Sequence, residues 1–224
     1  MFMAFCPLAF VNRSVYIIRM VTKHKTLSPI RGRPREFDPK HATRRAMEVF
    51  WSNGYHATCL PDLLDATHLS RSSLYAAYGD KHGLFLSALD QFIENSLVRI
   101  DNDLDAARPA FECLRACLVG CVERSCGASG KRGCFLVSTA KEMAGRDPEV
   151  AKRVRRFFEK FEQKLTATFQ RAREKSELAD GVEPAAAARV LLSMIEGLRV
   201  LGKAGIDERA WLGTVNALIG RFQK

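Results

Sequence analysis

Two short amphipathic helices separated by a turn are predicted within residues 58–81, and this segment constrains the fold most strongly. The first helix begins after a cap at Thr58, and its leucines recur at helical spacing, at Leu60, Leu63 and Leu64. The second begins after a cap at Ser70 and turns Leu74 and Tyr78 toward the interior. Such a pair is one way in which a chain presents a helix to the DNA major groove.

The outward face of the second helix is small and polar, apart from one guanidinium and one phenol. It consists of Arg71, Ser72, Tyr75 and Ala76. A face of this kind can approach phosphates and base edges closely, and Arg71 is long enough to reach guanine O6 and N7. The alternative interpretation is an ordinary helical hairpin whose polar face meets water.

The flanking sequence extends this unit to three helices and the start of a fourth. A first helix is predicted to begin at Asp38-Pro39 and to stop at Asn53-Gly54. Asp80 is the predicted cap of a longer helix, whose apolar stripe comprises Leu84, Phe85, Ala88, Leu89 and Phe92. We therefore expect the four segments to share one small core.

Residues 38–93 resemble the DNA-binding domain of the TetR/AcrR family of transcriptional regulators. The matching features are Trp51 with Gly54, the Leu74-Tyr75 pair, and the run Gly79-Asp80-Lys81. Segments 132–140 and 195–205 look like those of one of its subfamilies. The resemblance implies a cytoplasmic homodimeric repressor that binds a palindromic double-stranded DNA operator and is released by an unknown small-molecule effector.

The expected DNA contacts combine the outward face, the family positions and the basic sequence before the first helix. Tyr75 and Lys81 correspond to positions that grip phosphates in the family, and Arg71 is the expected base reader. The complete predicted set is Arg31, Arg33, Arg44, Thr58, Arg71, Ser72, Ser73, Tyr75, Ala76 and Lys81.

Positive charge is concentrated just before and within the first helix. Residues 13–45 hold ten Lys or Arg residues against Glu36 and Asp38, whereas the whole chain has a net charge of +10. Residues 1–35 are predicted to be a disordered basic arm, in which Arg31 and Arg33 enter a minor groove. A solvated basic tail is the alternative. Residues 1–19 are expected to be untranslated, with Met20 as the natural start.

The predicted fold class is all-α. It comprises an N-terminal three-helix helix-turn-helix domain at residues 36–82 and a C-terminal helical ligand-binding and dimerisation domain at residues 83–224. Beyond residue 94, long helices are predicted between breaks near 108–109, 127–133, 145–148, 179–184 and 205–207.

The last two predicted helices carry apolar seams with steps of three and four residues. The expected dimer interface comprises Leu191, Met194, Leu198, Leu201, Trp211, Val215, Leu218 and Phe222. Two such helices can pair with their copies as a four-helix bundle, and the family resemblance favours this interpretation. The alternative is that both seams bury against the protein's own core.

A strongly aromatic helix is predicted from residue 147 to about 178. Its aromatic stripe is either part of the core or one wall of a pocket for an apolar or aromatic effector. The predicted pocket walls are Phe111, Cys117, Cys121, Leu136, Met143, Phe157, Phe161 and Met194.

Five of the seven cysteines fall between residues 113 and 134. Small core residues are one interpretation, and thiol-based sensing or a soft-metal site such as one for Cu(I) are the others. Glu196 is expected to pair with Arg199 or a partner-subunit group, with contact to a ligand as the alternative.

Enzyme, cofactor and membrane functions are not expected. All five histidines lie within the first 82 residues, which leaves the larger helical region without an imidazole acid, base or metal ligand. The apolar N-terminal run is too short to span a bilayer. The remaining alternatives are an architectural protein that coats DNA without sequence preference and a regulator that senses thiol oxidation or a soft metal.

Overall fold

Residues Phe37–Lys224 are described by a computed structural model. Within that part of the chain the regular structure is ten α-helices and one 3₁₀ turn, with a single isolated β-bridge between Leu178 and Gln223. The predicted all-α fold is confirmed. The predictions for Arg31, Arg33 and the rest of the basic arm lie outside the described residues.

The first four helices follow the predicted order, and three of them begin where their caps were predicted. Asp38 accepts from the Lys40 amide, Ser70 from the Ser73 amide at 3.0 Å, and Asp80 from Gly83. These side chains satisfy amides that have no partner within the helix. The bounds are α1 Pro39–Asn53, α2 Leu60–Thr67, α3 Arg71–Tyr78 and α4 Lys81–Asp103.

The predicted cap at Thr58 is wrong, because α2 is capped by Cys59. The Asp62 carboxylate accepts from both the amide and the thiol of Cys59 at 2.8 Å, which closes a capping box with sulfur in place of a hydroxyl. Thr58 instead donates to the Gly54 carbonyl at 2.6 Å. Its hydroxyl therefore closes the turn after α1.

The remaining helices differ from prediction at two points. The segment predicted as a break at 127–133 contains a short helix, and the long aromatic helix ends at Glu174 because the chain turns at Ser176, whose φ is 59°. Ala179 then donates to the Phe222 carbonyl at 2.8 Å. The bounds are α5 Ala110–Ser125, α6 Gly127–Arg132, α7 Phe135–Met143, α8 Pro148–Glu174, α9 Pro184–Leu201 and α10 Glu208–Phe222.

One continuous apolar core joins the helix-turn-helix to the larger helical region. The helix α4 crosses the predicted domain boundary at residues 82–83 and contributes to both sides. Phe85 packs edge-on against Phe50 of α1, whereas Phe92 packs edge-on against Phe135 of α7. A displacement in the larger region can therefore reach α1 through packed side chains.

Most of the predicted pocket walls lie in this core. The stripe of α8 packs against α5 and α9, and its aromatic rings are buried in the interior. The buried members of the predicted set are Phe111, Cys117, Cys121, Leu136, Met143, Phe157 and Phe161, whereas Met194 is half-buried.

The predicted dimer seams also turn largely inward. Leu191, Leu198 and Val215 are fully buried within one protomer, so these three cannot form an interface without unfolding. Leu201 is 44% exposed. The others, Met194, Trp211, Leu218 and Phe222, are half-buried.

The exposed stripe of α9 lies one residue away from the predicted seam. It comprises the exposed residues Ala186, Val190, Ser193 and Val200, with Gly197 half-buried between them. The corresponding exposed residues of α10 are small, at Gly213, Thr214, Ala217 and Gly220. None of the helices in residues 37–224 has the length and apolar character needed to cross a bilayer.

Candidate DNA interface and adjoining cavity

The second helix of the helix-turn-helix, α3, presents the predicted polar face to solvent. Arg71, Ser72 and Ala76 are exposed, and Tyr75 is exposed at 46%. Leu74 is completely buried on the opposite side. The alternation follows from the helical period, and it leaves α3 free to enter a groove without disturbing the core.

Polar contacts fix α3 and the preceding turn against α1. The Tyr78 hydroxyl donates to the Pro39 carbonyl at 3.1 Å and lies 3.1 Å from the Thr43 hydroxyl. From the same helix, Arg45 donates to the Ala66 carbonyl at 3.1 Å. These contacts tie α3 and the end of α2 to α1, and α3 also packs against α4.

The other predicted DNA residues have varied surroundings. Arg44 is exposed on α1, the Ser73 hydroxyl lies 2.8 Å from that of Ser70, and the Lys81 ammonium lies 4.4 Å from the centre of the Tyr55 ring. Thr58 is only 1% exposed, so its predicted contact with DNA is not compatible with this structure. Its place in the turn explains the burial.

The turn after α1 is held by a carboxylate from the larger helical region. Glu142 of α7 accepts from the Tyr55 amide at 3.0 Å and from the His56 amide at 2.7 Å. Near the same turn, His82 lies 2.6 Å from the Asp147 carboxylate. These contacts couple the helix-turn-helix to α7 and to the start of α8.

A second set of contacts connects α6 to α1. Arg132 lies 4.2 Å from the centre of the Trp51 ring and forms an ion pair with Glu48 at 2.5 Å. The Trp51 indole donates to the Gly133 carbonyl at 3.1 Å. This arrangement is not predictable from the sequence, because the partners lie about eighty residues apart and share no motif.

A cavity of about 320 Å³ lies beside these contacts, where α1, α4, α5, α6 and α9 meet. Of the predicted pocket residues, only Cys121 lines it. The full lining is Met47, Trp51, Phe92, Asn95, Arg99, Cys121, Arg124, Ser125, Gly130, Arg132, Gly133, Cys134 and Arg199. Arg99 and Arg124 are exposed to solvent, so the cavity opens at the surface.

Cys121 is the most strongly perturbed thiol of the cavity. A hydrogen bond from the Cys117 thiol lowers the pKa of Cys121 to about 6, against the opposing effect of burial. The guanidiniums of Arg199 and Arg124 add to this lowering, and Arg124 donates to the Cys121 sulfur at 3.5 Å. The Cys121 thiol is therefore more acidic than an ordinary thiol, while the pKa of Cys117 is raised.

The predicted pairing of Glu196 with Arg199 is present only as a long ion pair of 3.8 Å. Both carboxylate oxygens of Glu196 are buried without a hydrogen-bond partner in the described part of the chain, and burial raises the Glu196 pKa. Arg199 instead donates to the Cys134 sulfur at 2.9 Å. No cluster of three His, Cys, Asp or Glu residues within 37–224 is arranged to hold a metal ion.

Comparison with known proteins gives consistent matches along the chain. Residues 43–88 match the family described as bacterial regulatory proteins, tetR family, and residues 110–212 match the tetracyclin repressor-like C-terminal domain. A similar protein in Bacillus subtilis, the uncharacterized HTH-type transcriptional regulator YezE, is 32% identical over 79% of this chain and 91% of its own length. The Escherichia coli HTH-type transcriptional repressor ComR is 27% identical over 78% of this chain and 84% of its own.

A solved structure extends the similarity to a DNA complex. It contains a cysteine mutant of the TetR family transcriptional regulator CifR bound to a 26-base-pair operator. The match covers 85% of this chain and all of the CifR chain, with a TM-score of 0.74 and 28% sequence identity.

Proposed function

This chain belongs to the TetR family of bacterial transcriptional regulators and is a DNA-binding repressor, and we propose that it acts as an effector-released homodimer. Each protomer inserts α3 into the major groove of one half of a two-fold symmetric operator. The observation that carries this proposal is the exposed face of α3, held by α1 through the Tyr78 and Arg45 contacts. The operator complex of CifR supports the same use of the fold.

The proposed dimer surface consists of the outward stripes of α9 and α10. Val190 and Val200 of the α9 stripe are large apolar side chains that are 49% and 53% exposed. A Cβ atom added at Gly197, Gly213 or Gly220 would meet nothing within 4 Å, so these glycines leave open space on the outer surface. Small residues beside exposed apolar ones allow helices of two protomers to approach closely.

The cavity is the proposed effector site, because its walls include the helix that positions α3. Met47 and Trp51 belong to α1, whereas Cys121 and Arg199 belong to α5 and α9. A small molecule there contacts both regions directly. It releases the operator if it binds the conformation with displaced α3 helices more tightly than the DNA-bound one.

Selection of binding sites from random DNA, followed by footprinting of the full chain, tests the proposal. We expect one two-fold symmetric site whose half-sites lie about one helical turn, or a multiple of it, apart. Protection without sequence preference would instead support the alternative of an architectural DNA-coating protein. Salt dependence does not separate the two functions, because both neutralise phosphates.

A further inference from the structure

The cavity concentrates positive charge from four helices. Arg99 of α4, Arg124 of α5, Arg132 of α6 and Arg199 of α9 all line it, and no aspartate or glutamate is among its lining residues. Grouping guanidiniums around an open space is electrostatically unfavourable unless an anion occupies or faces it. The composition of the lining therefore favours a ligand that carries negative charge.

The negative groups around the cavity do not balance these arginines. Glu48 forms an ion pair with Arg132 but does not line the cavity, and neither Asp103 nor Glu196, whose pKa values burial raises, is among the lining residues. Cys121, whose pKa is lowered, does line it.

The guanidinium of Arg99 lies close enough to those of Arg124 and Arg199 to be repelled by them. Burial lowers the pKa of Arg99, and the guanidiniums of Arg124 and Arg199 lower it further. Their effects exceed the opposing ones of Asp103 and Cys121. An additional negative group between the arginines would relieve this repulsion.

Several guanidinium donors near the cavity are also free to bind a ligand. A guanidinium has five N–H groups, yet Arg99 makes one described hydrogen bond, to the Ser96 hydroxyl at 3.0 Å. Arg124 makes one described bond, to Cys121. The buried Arg132 Nε has no hydrogen-bond partner in the described part of the chain. Paired donors of this kind match the two oxygens of a carboxylate.

The same cavity has an apolar wall formed by Met47, Trp51 and Phe92. We propose that it binds a small organic acid with an aromatic body, whose carboxylate lies between Arg99, Arg124 and Arg199 while its ring contacts Trp51 and Phe92. This inference rests on the proposed effector role of the cavity. It replaces the expectation of a purely apolar effector by one that carries a negative charge.

Calorimetric titration of the full chain without DNA tests the site directly. The probes are benzoate and 3-phenylpropionate, each compared with its uncharged amide. We expect at least one acid to bind about tenfold or more tightly than its amide, because only the acid forms charge-assisted bonds with the arginines. Equal affinity of acids and amides, or no binding of either acid at millimolar concentration, would overturn the proposal.

Matched variants locate the binding. The double variant Arg99→Gln/Arg124→Gln should weaken the bound acid about tenfold or more and leave the amide unchanged. Arg155→Gln is the control, since Arg155 is exposed on α8 and does not line the cavity. If the double variant does not fold, Arg99→Gln alone suffices, because Arg99 is exposed and its described hydrogen bond stays within α4. An unchanged acid affinity in a folded variant contradicts the assignment.

Operator release separates this inference from the proposed function. If an acid binds in an arginine-dependent manner and also releases the selected operator, both are supported. Arginine-dependent binding without release supports the anion site and contradicts its role as the effector site. Release of the operator by the uncharged amides alone supports an effector-regulated repressor and contradicts the anion site.

Discussion

Arg71 is the residue on which recognition of the DNA bases is expected to depend most. It is the first residue of α3, directly after the Ser70 cap, and is exposed. We expect Arg71→Ala to cost about 1 to 3 kcal/mol per half-site on the operator and to relax base preference, because a bidentate guanine contact is lost. Fluorescence anisotropy on the operator and on random DNA measures both effects.

Lys81→Ala is the matched control for Arg71, because Lys81 is expected to contact phosphate. It should weaken binding to all sequences alike and lower the salt slope by about one unit per half-site. Equal losses on operator and random DNA for Arg71→Ala would contradict its assignment as a base reader.

Cys121 should react as a thiolate at unusually low pH. Its pKa of about 6 predicts that its alkylation by iodoacetamide, measured by peptide mass spectrometry, rises through a midpoint near that pH and levels off above it. Because the Cys117 thiol donates the hydrogen bond that lowers this pKa, Cys117→Ala should move the midpoint upward. A midpoint at the ordinary thiol value in the unmodified protein would show that Cys121 is not a thiolate.

Helix starts were predictable from sequence because they are decided locally. Ser70 and Asp80 each cap a helix with their own side chains, within three residues of the amides that they satisfy. The cap of α2 was missed because a thiol is not a usual capping group, although Asp62 at the third position was a usable signal. Local chemistry therefore accounts both for the success and for this error.

The register of α9 could not be predicted because two neighbouring stripes are both apolar or small. Leu191 and Leu198 form one stripe, and Val190 and Gly197 form the next, with the same spacing. Periodicity identifies the helix but does not decide which stripe meets the core. That choice follows from packing against α8 and α5, which the linear pattern does not contain.

The cavity could not be predicted for a related reason. Its arginines are spread between residues 99 and 199, on four helices. None of them lies in a sequence motif that indicates a binding site. The aromatic stripe of α8 was the stronger sequence signal for a pocket, but aromatic rings also fill cores. In this fold they do so, and the cavity lies elsewhere, among the arginines of four helices.

At the scale of helices, the Glu142 carboxylate is expected to stabilise the α1–α2 turn. Glu142→Ala removes the acceptor of the Tyr55 and His56 amides and should lower the free energy of unfolding by about 1 to 3 kcal/mol. Urea denaturation measures the loss. Glu94→Ala, at an exposed position of α4, is the control and should change stability by less than about 0.5 kcal/mol. Similar losses in both variants would show that the turn does not depend on Glu142.

The proposed dimer can bind both half-sites of an operator only if its two recognition helices are held at a fixed separation. One α3 helix contacts a single half-site, so affinity for the operator depends on the dimer surface of α9 and α10. The inward faces of these two helices contribute Leu191, Leu198 and Val215 to the core that reaches α1 through α4. The proposed dimer surface therefore lies on helices that share one core with the helix-turn-helix, and a change there should weaken operator binding without altering α3.

Two exposed valines offer a matched test of this dependence. Val190 lies on the proposed dimer stripe of α9 and is 49% exposed, whereas Val98 lies on α4 and is 54% exposed. Val190→Asp should raise the dimer dissociation constant by roughly 100-fold, because an unpaired carboxylate is costly in an apolar interface. Val98→Asp adds the same charge at similar exposure and should leave the dimer intact. Sedimentation velocity measures the assembly, and operator titration should show a parallel loss only for Val190→Asp. An unchanged dimer in Val190→Asp would place the interface elsewhere on the protein.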